Sequence, residues 1–136
     1  EWGYSIGRRW GEQPASATDA SNLLTSTAVL AGEEVEQLLC SGPGWRLVRI
    51  QSNGARSPES FWYEQDEHEW LTILKGSARL RLADPDVWLD LSVGDQLTLP
   101  SGRRHRVERT DPDPGTIWLA LYWKDGSDVP PVASLV

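Results

Sequence analysis

Glu69 and His105 are the two side chains whose chemistry invites pairing, because each opens a run that reads as a β-strand. Strand alternation places Glu69, Leu71 and Ile73 on one face, and His105 and Val107 on one face. If both faces point into one barrel, a carboxylate and an imidazole meet at its mouth. Such a pair can hold an imidazole in position for acid–base work, or give two ligands to a divalent metal. The plain alternative is a buried, hydrogen-bonded Glu–His pair with no chemistry. The other histidine, His68, is adjacent to Glu69, falls on the opposite face among charged neighbours, and reads as a surface residue.

The elements that would position these residues are mostly strands. Residues 45–50, 61–65, 70–75, 78–82, 87–91, 96–99, 105–109 and 116–123 read as short strands. Turn chemistry separates them: Lys75-Gly76, Asp84-Pro85-Asp86, Val93-Gly94-Asp95, Pro100-Ser101-Gly102 and Asp111 to Gly115. Eight short strands at nearly even spacing predict an all-β sandwich or small barrel. Residues 31–40 predict one short helix, with acidic residues in its first turn, Val35, Leu38 and Leu39 on one face, and Gly42-Pro43 as the stop. Residues 1–21 read as a flexible N-terminal extension unless Trp2, Tyr4 and Trp10 dock, 22–125 as one domain, and 126–136 as a polar, Pro-rich tail.

Two spacings carry more information. Glu69 is followed after six residues by Gly76, and Gly94 is followed by Pro100, Gly102 and His105. These resemble the two signature motifs of the cupin superfamily. Asn22-Leu23-Leu24, Ser57-Pro58, Phe61 to Gln65, His105-Arg106-Val107 and Thr116 to Ala120 extend the resemblance, to small single-domain bacterial cupins, over roughly residues 22–124. It implies a small antiparallel jelly-roll barrel (a double-stranded β-helix of the RmlC-like kind), here with one short N-terminal helix. Metal-binding cupins carry His-x-His three or four residues before the glutamate; with the later histidine, these ligate Mn, Fe, Zn or Ni. This chain has Tyr63 and Gln65 in the first register, Trp62 and Glu64 in the second, and histidine in neither. Arg109 stands where the second motif usually ends in Asn. The first register points Phe61, Tyr63 and Gln65 inward and is the expectation; a bulge would exchange it for the second. If a metal were bound, Glu69, His105 and Gln65, or Glu64, would hold it, but one imidazole with carboxylates is a weak transition-metal site.

Composition closes other routes. With 13 Lys+Arg against 20 Asp+Glu, the chain carries a formal net charge of −7, which disfavours nucleic acid and anionic membranes as partners. No apolar run is long enough to cross a membrane as a helix. Glu1 to Tyr4 lack the order of a secretion signal and Cys40 has no internal disulfide partner, so a reducing, cytoplasmic setting is expected. The run Glu64 to Glu69 lacks the spaced ligands and turn Gly of a calcium loop. Eight Trp against one Phe suggest packing; Trp70, Trp88, Trp118 and Trp123 are expected to face a second sheet or a partner, in a homodimer.

The expected function is binding of a small polar molecule by Tyr63, Gln65, Glu69 and His105 in the barrel mouth, without the three-His/one-Glu metal site. One alternative is an enzyme of the same site, either metal-dependent or using His105 as acid or base, of isomerase, epimerase or oxygenase type. Another is an interaction module using a Trp-rich sheet face. The fold itself supports no particular reaction.

Overall fold

The computed structural model describes residues 8–10 and 20–127. Among the described residues there are nine strands: β1 Arg8–Trp10, β2 Glu34–Gly42, β3 Trp45–Ser52, β4 His68–Lys75, β5 Ala78–Leu82, β6 Val87–Leu91, β7 Gln96–Leu99, β8 His105–Thr110 and β9 Thr116–Trp123. They form a six-stranded sheet in the order β1-β2-β3-β9-β4-β7 and a three-stranded sheet in the order β6-β5-β8. All pairings are antiparallel except β1 with β2.

The helix expected over residues 31–40 is not formed: Glu34–Gly42 is strand β2, paired with β3 from Glu34↔Ser52 to Gly42↔Trp45 across a bulge at Leu38/Cys40. The run holds good helix formers, but a ten-residue helix is marginal alone, and β3 offers a full ladder of backbone bonds. The strand expected over 61–65 reduces to one bridge, Tyr63↔His105. The extension expected over 1–21 and the tail over 126–136 lie largely outside the described residues.

The core fills the space between the sheets in cross-strand rows. Val48, Ala120 and Leu71 form one row and Ile50, Trp118 and Ile73 the next, all buried against Leu80, Leu82 and Leu91 of the smaller sheet. Trp118 therefore lies in the barrel interior, its Nε1–H donating to Ser52 Oγ at 3.1 Å. Trp70 points the other way, is half-buried and donates to Gln96.

After β3 the chain crosses between sheets at the β4–β5, β6–β7, β7–β8 and β8–β9 connections. Two of these corners are too tight for a side chain. Gly115 has φ +93°, and a Cβ there would sit 2.1 Å from Ser52 O. Gly76 has φ +78°, with Gly115 O 2.8 Å from where its Cβ would lie.

Outside the larger sheet, residues 23–29 run as a strap over β3. Arg49 donates to Leu23 O and Thr25 O, Gln51 to Thr27 O, and Asn53 to Val29 O. Alternate outward-facing polar residues thus take up alternate carbonyls of an extended segment, satisfying backbone groups that no strand pairs. Burial pushes the Arg49 guanidinium below its ordinary value.

Candidate functional site

The first inward row of the larger sheet differs from those beneath it. Arg46, Tyr122, Glu69 and Leu99 stand side by side on β3, β9, β4 and β7. The next row is apolar and has Ala120 between Val48 and Leu71. So small a side chain on a central strand leaves space, and a cavity of about 40 Å³ lies there. Glu69, Gln65, Tyr63 and His105 give its polar wall, and Leu71, Leu80, Val107, Ala120 and Trp118 its apolar one. That volume admits roughly three water-sized bodies.

His105 is fixed from three sides. Its backbone pairs with Leu82 of β5 and exchanges two hydrogen bonds with Tyr63, at 2.7 and 3.0 Å. The Tyr63 ring stacks on the imidazole with centroids 5.5 Å apart and planes 21° apart. Nδ1 lies 3.0 Å from Arg103 O. A carbonyl only accepts, so Nδ1 carries a proton, and in the neutral form of an imidazole the lone pair then lies on Nε2. Nε2 faces Glu69 Oε1 at 3.7 Å, with both side chains 8% exposed. Gln65 donates its Nε2–H to the same carboxylate oxygen at 3.2 Å, and Gly102 N–H holds the Gln65 main-chain carbonyl at 2.9 Å.

The four residues expected at the mouth, Tyr63, Gln65, Glu69 and His105, therefore line one cavity, in the register expected of them. Phe61 does not line it; its ring packs edge-on against Tyr63. Glu64 is exposed, and Trp62 lies among the Arg81, Arg104 and Arg106 guanidinium groups, 5.2–5.8 Å from its ring. His68 is on the face opposite Glu69, but it is tied rather than free: Asp125 accepts from Nε2 at 2.7 Å and Ser101 N–H donates to Nδ1 at 3.0 Å.

Two contributors escaped the sequence reading. Glu34, assigned there to a helix, lines the cavity from the Ser52 end of β3, with Ser52 Oγ 3.4 Å from its carboxylate. Its signal was the alternation Glu34-Val35-Glu36-Gln37, which is strand-like but puts the acids inward. Arg46 lies buried over the Tyr122 ring at 4.1 Å, ion-paired with Glu67. Burial pushes the Arg46 guanidinium below its ordinary value, against the hydrogen bond and charge of Glu67, which raise it.

Residues 46–122, more than half of the chain, match the family model described as Cupin domain. The chain belongs to the cupin family. Its barrel superposes on a Ralstonia eutropha JMP134 protein provisionally designated a mannose-6-phosphate isomerase, with a TM-score of 0.72 and 35% identity over 78% of this chain and 98% of that one. An RmlC-like cupin from Desulfovibrio desulfuricans matches with a TM-score of 0.61 and 18% identity over 78% and 96% of the two chains. KdgF from a Halomonas species matches at 0.56 and 17%, over 73% and 86%. The last two likenesses speak for the fold alone. No curated protein matches the chain.

The metal that many cupins hold does not fit the donors of this one. Where two further imidazoles would stand, a phenol and an amide line the cavity, and the amide turns its N–H₂ rather than its oxygen toward Glu69. Among the described residues, no group of three His, Cys, Asp or Glu side chains converges on one point. Also among the described residues, no helix is long and apolar enough to cross a membrane.

Proposed function

We propose that this cupin binds a small polar molecule at the mouth of its barrel, between Tyr63, Gln65, Glu69 and His105, without a three-imidazole metal centre. The observation that carries the reading is the His105 Nε2–Glu69 Oε1 pair, 3.7 Å apart on the wall of one cavity. Polar groups withdrawn from water cost free energy unless a partner replaces it, and this pair is too far apart for one group to bond the other directly. A polar group of a ligand seated between them restores what water would supply. The apolar wall beneath, from Leu71 to Trp118, gives that ligand contact area.

A thermal-shift screen of small polar compounds tests this. Stabilisation of the wild-type protein by a compound class, absent in Glu69→Gln and His105→Ala, is the expected result. A folded protein that no compound stabilises would overturn the reading.

A second reading is favoured by the fixed tautomer of His105. With Nδ1 tied to Arg103 O, Nε2 is the ring atom placed to take or give a proton, as isomerisation of a hydroxy-carbonyl compound requires. The designation of the Ralstonia protein makes a sugar phosphate the substrate to try. A bell-shaped pH–rate profile that disappears in His105→Ala would establish this reading over simple binding.

A further inference from the structure

We infer that the group bridging His105 and Glu69 is a primary amine in its ammonium form, so that the ligand of the mouth is an amine rather than an acid or a phosphate. This rests on the binding reading above and narrows it to a chemical class.

Nδ1–H of His105 is spent on Arg103 O at 3.0 Å, so in the neutral form of the ring Nε2 is an acceptor. Glu69 Oε1 is an acceptor too, already taking one hydrogen bond from Gln65. Two acceptors 3.7 Å apart repel each other and call for a donor between them. A hydroxyl has one hydrogen and can serve only one of the pair. An ammonium has three hydrogens, serves both, and adds attraction to the carboxylate.

Charge and size point the same way. A carboxylate or phosphate entering the mouth would bring a like charge against Glu69 and set lone pairs against both acceptors. The guanidinium in the same row, Arg46, is committed to Glu67 and the face of Tyr122. The Tyr63 and Trp118 side chains line the cavity. A cavity of about 40 Å³ accepts an aminomethyl head group and little more, so the remainder of the ligand lies toward solvent.

The test is an NMR titration of the full chain with four probes: ethylammonium chloride, ethylene glycol, sodium acetate and inorganic phosphate. The expected result is saturable shifts at the His105 ring nitrogens and the Trp118 indole N–H with ethylammonium alone. Affinity should fall about tenfold or more in Glu69→Gln, the loss expected for one charge-assisted hydrogen bond. His105→Gln serves as the second variant, checked for folding by its amide spectrum, and should weaken ethylammonium binding as well. Saturable binding of acetate, phosphate or glycol at the same nuclei, with ethylammonium silent, would overturn the class while leaving the binding reading intact. Silence from all four probes, together with an empty thermal-shift screen, would overturn both. Ethylammonium shifts that persist unchanged in both variants would place the amine elsewhere and overturn the inference.

Discussion

Tyr63 and His105 hold each other by backbone and by ring: a pair of N–H···O bonds at 2.7 and 3.0 Å joins their main chains, and their rings stack 5.5 Å apart. This isolated bridge stands where a full strand was expected, and it brings the chain before β4 up to the mouth of the barrel. Tyr63 and Gln65 occupy the places where metal-binding members of the family have histidine, so the bridge decides which side chains the mouth presents.

That substitution predicts metal content. The wild-type protein, purified without an affinity tag or chelator, should carry no near-stoichiometric Mn, Fe, Zn or Ni by elemental analysis. Tyr63→His combined with Gln65→His should create a site for such a metal, because three imidazoles and a carboxylate then converge. Wild-type protein holding near-stoichiometric metal that His105→Ala releases would contradict the account.

Ala120 is predicted to matter for the space it leaves. Ala120→Leu should cost about 1–3 kcal/mol by overpacking and should abolish ligand stabilisation, although it removes no polar group. Denaturant unfolding and the thermal-shift screen measure the two effects separately. Full ligand response in a folded Ala120→Leu protein would place the binding site elsewhere.

The strap over β3 predicts a stability effect remote from the mouth. Arg49 is 5% exposed and donates to two strap carbonyls. Arg49→Ala should destabilise the protein by about 2–4 kcal/mol, through lost charged hydrogen bonds and carbonyls left without donors. Urea unfolding reads this directly; a loss below about 0.5 kcal/mol would mean that water replaces the guanidinium at no cost.

One carboxylate makes a pH prediction. Burial pushes the Asp111 carboxyl up, but hydrogen bonds from Arg109 and Ser77 outweigh it and hold the group below the usual carboxylate range. A carboxyl lowered in the folded state adds stability that is complete above its unfolded value of about 4 and is lost as pH falls through the folded one. Asp111→Asn should therefore lower Tm at neutral pH and shrink that difference in acid, as seen in a Tm series from neutral to acidic pH. A difference that stays constant into acid would show that the carboxylate charge is not what holds Ser77 and Arg109.

Much of this architecture is legible in the chain itself, and the parts that are not have identifiable reasons. Ala78–Leu82, Val87–Leu91, Gln96–Leu99 and Thr116–Trp123 stand where alternation and turn residues put them. The motif spacing also carries the convergence of Glu69 with His105, because strand parity fixes faces once the barrel is given. Residues 31–40 mislead because Glu33 to Leu39 favour a helix locally, while the partner that makes them a strand, β3, lies up to eighteen residues away in the pairing Glu34↔Ser52. Glu34 was hidden for a further reason: an inward-facing acid inverts the usual apolar-in pattern, and only its neighbours in space account for it.

The proton on His105 is the most direct point of attack on the central claim. Two-bond ¹H–¹⁵N correlation of the His105 ring at neutral pH distinguishes its two nitrogens. The account predicts a protonated Nδ1, bonded to Arg103 O, and an unprotonated Nε2 facing Glu69. A protonated Nε2, with or without a proton on Nδ1, would give the mouth its own donor to Glu69, and would contradict an acceptor pair awaiting a ligand.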